Sequence, residues 1–394
     1  MLGPLAFLAP DGGESRRPKG GKRGSFILTV GEAAGQQGGE PLAPISHRAY
    51  VAPFGREVSR YPENRCPWDY RMKATSDPVS SRPDARQILP VSLTREFLTV
   101  VISTVALIVL CRLFAPSSIA YGTLAGSLPF AAILVIVGLG QMLVVQQGGF
   151  DLSVAGGVSL AVVISTHVPA GDSANLPSAV LFALCCALAA GLVNGVLVGF
   201  VRLNAIVATI GMNALIYGAV FAVSGGIPRT TTALLAAIAG GDMWGVGNSV
   251  YFAIAILLVV AFVLKKTVIG RRFEAIGANP LAARAVGLHV RLHQMMAYVY
   301  AQLLYCIAGL LLAGITSQPT AFQGDSLLLP SVAVVVLGGT SLTGGRGFPI
   351  STAIAAFFLN QLSQFALAVG VPYSAQTIIQ ALALGFGIAV YSIR

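Results

Sequence analysis

From residue 94 to residue 394, apolar segments follow one another with little charge between them. A helix needs about 20 apolar residues to cross a bilayer. Only 10% of the residues are charged, against about 25% in soluble domains. The pattern predicts an all-α integral membrane protein with about ten transmembrane helices, in a range of eight to ten. The approximate spans are 94–114, 119–145, 152–168, 178–200, 203–223, 249–266, 295–316, 327–340, 349–369 and 374–392.

Two of these spans, 152–168 and 327–340, are short and are bordered by glycine-rich breaks. They predict short or broken helices, which a membrane protein tolerates where other protein or a water-filled path surrounds them. The breaks also resemble each other, since GGFDLSVAGG at 148–157 is similar to GGTSLTGGRG at 338–347. Transporters built from two related halves carry such interruptions at matching places.

Residues 1–93 differ in kind from the rest of the chain. They are rich in Gly, Pro, Arg and Ser and show no sustained apolar period. This composition predicts a disordered cytoplasmic extension, followed by a transmembrane domain over residues 94–394. A second hypothesis is that the biological start is Met72, which would leave only a short polar stretch before the first span.

The basic residues of the transmembrane domain indicate its orientation. With the N-terminus inside, the cytoplasmic side holds ten of them and the outside only Arg112 and Arg229. Cytoplasmic loops carry an excess of Lys and Arg, so both termini are predicted to be cytoplasmic. The inner set is Arg95, Arg202, Lys265, Lys266, Arg271, Arg272, Arg284, Arg291, Arg346 and Arg394. The predicted outer loops, 169–177, 224–248 and 317–326, carry Asp172, Asp242, Trp244 and Asp325.

The loop 265–294 is the most basic part of this domain. Six residues of its 265–291 stretch are Lys or Arg, and Glu274 is the one acid among them. Asn279 followed by Pro280 is a cap residue and then a proline at the first helical position, and LAARAVGL has helical composition. We therefore predict a short amphipathic helix on the cytoplasmic face, suited to docking a partner.

Asp151 is the acid of greatest interest, because a carboxylate at membrane depth is costly and has a function or a partner. One interpretation is an N-cap of the following helix, which accepts backbone N–H groups. The other is a contact to a coupling ion or to the substrate. Further polar candidates for the translocation path or a helix break are Ser153, Asn194, Asn204, Thr209, Asn213, Thr340, Ser341 and Arg346.

Structural roles are the alternative for the polar candidates Asn194, Asn213 and Arg346. Asn194 and Asn213 are expected to hydrogen-bond across helices. Arg346 would either bind a carboxylate at a subunit contact or cap carbonyl groups at the membrane surface. Gly191, Gly195 and Gly199 form two overlapping GxxxG patterns, which predict a close helix contact.

Several kinds of chemistry have no motif in the sequence. There is no GxxxxGK[ST] phosphate loop, no His/Cys/carboxylate cluster at metal spacing and no nucleophile motif. We expect no enzyme active site, no metal and no cofactor bound by this chain. The net charge of +10 does not indicate a nucleic-acid partner. Thirteen of the 25 basic residues lie before residue 94, mixed with nine acids, and the other twelve lie mostly at the ends of apolar segments, which is the pattern of membrane topology.

Four features in order resemble the membrane permease subunits of ABC importers of the ribose/xylose/arabinose/autoinducer-2 type. They are GGFDLSV at 148–154, GLVNGVLVGFVRLNAIVATIGM at 191–212, GRRFEAIGANPLAARAVGLHV at 270–290 and VAVVVLGGTSLTGGRG at 332–347. The branched-chain amino acid permeases are more distant relatives. The chain departs from the family at Leu203 to Ile206, where proline is frequent and here absent.

The resemblance implies a subunit in the bacterial cytoplasmic (inner) membrane that pairs with an identical or paralogous permease. A separate cytoplasmic ATPase would bind ATP and Mg²⁺, and a periplasmic or surface solute-binding protein would deliver a monosaccharide. Alternatives are autoinducer-2, a polyol, a branched-chain amino acid or a stand-alone secondary transporter. The implied ATPase-coupling residues are Arg271, Arg272, Glu274, Gly277, Asn279, Pro280, Ala283, Arg284, Gly287 and Arg291.

Overall fold

The structure is a computed structural model that describes residues 95–372, together with 375–378, 381 and 385. The predicted extension 1–93, the hypothesis of a start at Met72 and most of the tenth span, 374–392, lie outside the described residues. The predictions for these parts remain predictions.

The described chain is almost entirely helical. Its α-helices are α1 Arg95–Phe114, α2 Tyr121–Gln146, α3 Val154–His167, α4 Leu176–Gly199, α5 Ala205–Ser224, α6 Ala233–Leu235, α7 Asn248–Lys266, α8 Val268–Ala278, α9 Pro280–Ala285, α10 Val290–Ile315, α11 Leu328–Leu337 and α12 Pro349–Ala368. Single 3-10 turns lie at Pro116–Ile119, Ser173–Asn175 and Gln323–Leu327. The strands β1 Asp242–Met243 and β2 Val246–Gly247 form a small antiparallel hairpin, with Asp242 opposite Gly247.

Within the described residues, seven helices are long and apolar enough to cross a membrane: α1, α2, α4, α5, α7, α10 and α12. α3 and the segment Gln323–Leu337, which contains α11, are shorter apolar helices. They coincide with the two short spans that the sequence predicts. The fold is that of a multi-pass all-α membrane protein, as predicted.

Helices α2 and α10 form the centre of the bundle, and α10 packs most extensively against α4. The glycines of α4 allow this approach. A Cβ atom on Gly195 would lie 2.6 Å from the backbone oxygen of Met295, and one on Gly191 would lie 2.7 Å from Cα of Val299. The close helix contact predicted from the GxxxG patterns is therefore present, and its partner is α10.

Contacts between helix ends and loops define the two ends of the bundle. At one end, the C-terminus of α4 meets the start of α10, where a Cβ on Gly199 would lie 2.9 Å from the backbone oxygen of Arg291. The basic helices α8 and α9 lie at this end, which we call the basic end. At the opposite end, His167 Nε2 lies 3.1 Å from the Ile227 oxygen, and the Thr231 amide donates to the Ser317 oxygen at 3.4 Å.

The segment 224–248 is more than the outer loop predicted from the sequence. It contains α6, which continues as a π-helical turn at Ala236–Gly240, and the β-hairpin. The hydroxyl of Thr232 caps α6 by accepting the amide of Leu235 at 3.3 Å. The apolar run ALLAAIAG after Thr232 is too short to span a membrane, and it packs instead against α10 and α7.

Candidate functional site

Helix α9 begins as its sequence predicts. The Oδ1 atom of Asn279 accepts the backbone amides of Leu281 at 3.1 Å and Ala282 at 3.0 Å, and Pro280 occupies the first turn. These bonds satisfy amides that would otherwise lack a partner at the start of the helix. Asn279 has extended backbone angles, which separate α9 from α8.

The end of α9 is a Schellman motif. Gly287 has a φ of 85°, its amide donates to the Arg284 oxygen at 3.0 Å, and the Leu288 amide donates to the Ala283 oxygen at 3.0 Å. The predicted helix over LAARAVGL is therefore too long, because the left-handed glycine ends it at Ala285. Helix α8 was not predicted as a separate helix, although its N-cap Thr267 accepts the amide of Gly270 at 3.2 Å.

A small apolar core joins α8, α9 and α10. It consists of Ile276, Ala283 and Val290, with Leu288 packed against it. The opposite surface of α9 is open, and Leu281 and Val286 are each 77% exposed. The exposed cations around it are Arg271, Arg272, Arg284 and Arg291. Exposed apolar side chains rimmed by arginines form a surface suited to a protein partner.

A hydrogen bond and an ion pair join helix α8 to the rest of the bundle. The Nε2 atom of Gln147, just after α2, donates to the Phe273 oxygen at 2.8 Å. Nε of Arg346, in the loop between α11 and α12, lies 2.9 Å from Oε1 of Glu274. Within its own chain, Arg346 therefore binds the carboxylate of Glu274, and the predicted contact with a carboxylate of a neighbouring subunit stays a prediction.

Gly277 is the residue of α8 that approaches the end of α2 most closely. A Cβ atom there would lie 2.1 Å from the backbone oxygen of Gln146, the same oxygen that accepts the amide of Gly345 at 2.9 Å. The end of α8, the end of α2 and the loop before α12 thus meet backbone to backbone. We call this meeting point the α8 junction.

The two similar glycine-rich breaks have the same geometry. After α2, the amides of Gly148 and Gly149 donate to the oxygens of Val145 and Val144. After α11, the amides of Gly339 and Thr340 make the equivalent bonds to Val336 and Val335, and Gly148 and Gly339 have φ values of 77° and 85°. The structural match pairs Gly148 with Gly339, one residue later than the sequence alignment suggests, so Asp151 corresponds to Leu342.

Asp151 lies at the centre of a buried polar network. Its Oδ1 atom accepts the Ser153 amide at 3.0 Å and the Ser153 hydroxyl, and its Oδ2 atom accepts Nε2 of Gln302 at 3.2 Å. The Ser153 hydroxyl in turn accepts Nδ2 of Asn194 at 2.8 Å. All four side chains are fully buried. Three donors at one carboxylate offset the cost of removing it from water.

This network corrects the N-cap interpretation. The cap position of α3 is Ser153, and Asp151 lies two residues earlier, where it makes a side-chain turn to the Ser153 amide. The burial also means that Asp151, Ser153 and Asn194 do not line an open path in this conformation. Gln302, whose partner is 151 residues away, was not found from the sequence.

The other path candidates have structural roles. Asn204 is exposed and caps α5 through the Ile206 amide at 2.9 Å. Thr209 is buried, and its hydroxyl accepts the Leu152 amide at 3.0 Å. Asn213 accepts the Gly156 amide at 2.8 Å, so it bonds across helices as expected.

Among the remaining candidates, Thr340 is buried within its Schellman motif, whereas Ser341 is partly exposed and bonds Thr343 at 2.8 Å. In the described part of the chain, no group of three or more His, Cys, Asp or Glu side chains is placed to hold a metal ion.

A bundle of membrane-length helices with two matching breaks and an amphipathic helix pair at one end defines a multi-pass membrane transport protein. Residues 123–386 match the family described as branched-chain amino acid transport system / permease component. The match spans most of the chain, and the chain belongs to this permease family.

Three relatives of the chain are named as permeases. The probable ABC transporter permease protein y4mJ of Sinorhizobium fredii is 33% identical over 65% of this chain and 77% of its own length. The autoinducer 2 import system permease protein LsrC of Enterobacter sp. is 34% identical over 63% and 72%. The ribose import permease protein RbsC of Escherichia coli K12 is 31% identical over 73% and 91%. No solved structure matches the chain.

Proposed function

We propose that this chain is the membrane-spanning permease subunit of an ABC importer and forms the translocation path for a monosaccharide such as ribose, xylose or arabinose. The observation that carries the proposal is the match to a ribose import permease over 91% of that relative's length. A solute-binding protein would deliver the sugar outside the cytoplasmic membrane. An identical or paralogous permease subunit would complete the path.

The ATPase partner would dock on α9. The helix lies at the basic end of the bundle, and an excess of Lys and Arg favours the cytoplasmic side, where both chain termini would also lie. Leu281 and Val286 would fill apolar pockets of the ATPase, and Arg284 and Arg291 would contact its acidic rim. ATP and Mg²⁺ would bind to that partner chain.

The α8 junction would carry the movement of the ATPase into the bundle. A push on α9 reaches α8 through the core of Ile276 and Ala283. From α8 it reaches α2 and the loop before α12 through Phe273, Glu274 and Gly277. Because packed helices shift between discrete arrangements, this push would tilt α2 and α12 together and open the path to alternate sides.

The buried network around Asp151 would keep α3, α4 and α10 together during this movement. It joins the break before α3 to Asn194 on α4 and Gln302 on α10. A stand-alone secondary transporter driven by an ion at Asp151 is the weaker candidate. The carboxylate is fully buried and already accepts three donors.

A second substrate class has support of its own. The relative LsrC is named an autoinducer 2 import permease, and the family description names branched-chain amino acids. Autoinducer 2 is, like a monosaccharide, a small polar solute, and the same path would suit either.

The test is uptake by proteoliposomes that contain the chain, its ATPase and its binding protein. Labelled ribose, xylose, arabinose, autoinducer 2 and leucine are offered in parallel, with and without internal ATP. We expect a monosaccharide to accumulate only with ATP and binding protein. Deletion of residues 279–287 should abolish uptake while membrane insertion continues. Uptake of leucine alone, or uptake without ATP, would overturn the proposal.

A further inference from the structure

Tyr217 and Asp325 meet inside the bundle, in the half away from the basic end, about two turns before α5 ends at Ser224. The Tyr217 hydroxyl donates to Oδ1 of Asp325 across a separation of 108 residues. The ring of Phe322 lies edge to face with that of Tyr217, with centroids 5.3 Å apart and planes at 81°. We call these three residues the aromatic–carboxylate corner. Ser159 and Asn213 lie beside the same hydroxyl and complete its polar surroundings.

Backbone contacts fix the aromatic–carboxylate corner against α3. The amide of Gly324, between Phe322 and Asp325, donates to the Ser159 hydroxyl on α3 at 3.0 Å. A Cβ atom on Gly324 would lie 2.1 Å from the backbone oxygen of Ala155, so the 3-10 turn rests directly on α3. A ligand site built on such a turn needs little ordering when a ligand arrives.

The corner is nevertheless open. Asp325 is exposed, Phe322 is 41% exposed and Tyr217 is partly exposed. Gly218, the neighbour of Tyr217 on α5, is also exposed, and a Cβ atom there would meet nothing within 4 Å. The two rings and the carboxylate are therefore accessible from the surface of the bundle.

The carboxylate of Asp325 can accept more hydrogen bonds than the one that Tyr217 donates. Within the described part of the chain it has no Lys or Arg partner, and the ion pair found there joins Arg346 and Glu274 at the other end. An ionised carboxylate accepts about four hydrogen bonds, and Tyr217 donates one. The complementary ligand is therefore one with several neutral hydroxyl donors.

The rings of Tyr217 and Phe322 supply the apolar part of such a site. Ligand sites combine aromatic walls with a few polar groups that fix orientation. A monosaccharide presents hydroxyl groups at its rim and C–H groups on its face, which match the carboxylate and the rings respectively.

We propose that Tyr217, Phe322 and Asp325 form a contact site for the transported sugar, in which the Asp325 carboxylate accepts two neighbouring hydroxyl groups and the rings pack on the C–H face. This inference rests on the proposed function and orientation. It places the site toward the outer mouth, where the sugar leaves the binding protein.

The alternative role of the corner is a tether that fastens the 3-10 turn to α5. Tyr217→Phe and Asp325→Asn separate the two roles in proteoliposomes with ATPase and binding protein. Tyr217→Phe removes the tether bond and keeps ring and carboxylate, whereas Asp325→Asn removes the charged acceptor. We expect Asp325→Asn to reduce the sugar transported per ATP hydrolysed by about tenfold to a hundredfold. Tyr217→Phe should cause a clearly smaller loss.

Matched controls lie at the end of the bundle opposite the basic end, away from the aromatic–carboxylate corner. The Asp172 carboxylate accepts the Ala174 amide of its own turn at 2.9 Å, and the Tyr121 hydroxyl donates to the Gly245 oxygen at 3.4 Å. Asp172→Asn and Tyr121→Phe make the same chemical changes away from the corner. Both controls should transport ribose, xylose or arabinose like the wild type.

The outcomes distinguish this inference from the proposed function. If the wild-type complex accumulates none of the three sugars, the proposed function fails and the site with it. If the wild type accumulates one of the sugars, two results would refute the site and leave the function standing. Either Asp325→Asn transports as much sugar per ATP as the wild type, or Tyr217→Phe loses as much transport as Asp325→Asn. Should Asp325→Asn not be recovered from membranes, Asp325→Glu is tested for an altered preference among the three sugars. An unchanged preference would then overturn the site.

Discussion

Replacing Gly277 by Ala adds one methyl group at the point where α8 touches α2. The new Cβ would lie 2.1 Å from the backbone oxygen of Gln146, where ordinary contacts begin at 3.4 Å. No rotamer change relieves a clash with backbone, so α8 must move away by about 1 Å, and overpacking of this kind costs about 1–3 kcal/mol. The shift also lengthens the bond from the Gly345 amide, which shares that oxygen. Alanine returns up to about 1 kcal/mol through its better helix propensity.

If overpacking costs about 3 kcal/mol and alanine returns about 1 kcal/mol, the packed position of α8 is destabilised by about 2 kcal/mol. This lowers the population of the packed position by a factor of about 30. The assay is ATP hydrolysis and sugar uptake measured together in the reconstituted complex. Gly277→Ala should keep ATPase binding through α9 but transport far less sugar per ATP hydrolysed. Gly126→Ala is the control, since a Cβ there meets nothing within 4 Å. Wild-type transport per ATP in Gly277→Ala would refute the role of the α8 junction.

Two further predictions concern charged groups. Asp151→Asn replaces one accepting oxygen by an NH2 donor that faces groups that already donate. It should therefore destabilise the protein by about 1–3 kcal/mol, measured as a lower thermal midpoint in detergent. A variant as stable as the wild type would contradict the network. Arg346→Glu should leave stability nearly unchanged, because an exposed ion pair contributes about 0–1 kcal/mol, but should impair coupling. Adding Glu274→Arg should restore it in uptake assays, and a double variant no better than the single would refute a coupling role for the pair.

The fold follows from the sequence wherever local chemistry decides it. Apolar length predicts the spans, Asn279 and Pro280 predict the start of α9, and the glycines of α4 predict a close helix contact. Each of these signals lies within a few residues of the structure that it produces.

The end of α9 and the existence of α8 were harder to predict. Gly287 ends α9 earlier than the composition of LAARAVGL suggests, because one left-handed residue outweighs several good helix formers. The α8 sequence VIGRRFEAIGA has two internal glycines, which lower its helix propensity. Packing of Phe273 and Ile276 against the bundle compensates for this.

Contacts between distant residues could not be predicted from one sequence. Arg346 and Glu274 are separated by 72 residues, and Tyr217 and Asp325 by 108. Nothing near any of these residues indicates its partner, because the pairing depends on how the helices pack. Asp151 was recognised as unusual for its charge, but its burial and its bond to Gln302 required the structure.

The central claim is that a cytoplasmic ATPase binds this chain through α9. The most direct test is to purify the tagged protein from native membranes in mild detergent and to identify the co-purifying chains by mass spectrometry. We predict an ABC ATPase subunit in equimolar amount, lost when Arg284 and Arg291 are changed to Glu and retained when Arg229, predicted to lie outside, is changed to Glu. A preparation without any ATPase that transports sugar into vesicles in the absence of ATP would contradict the account.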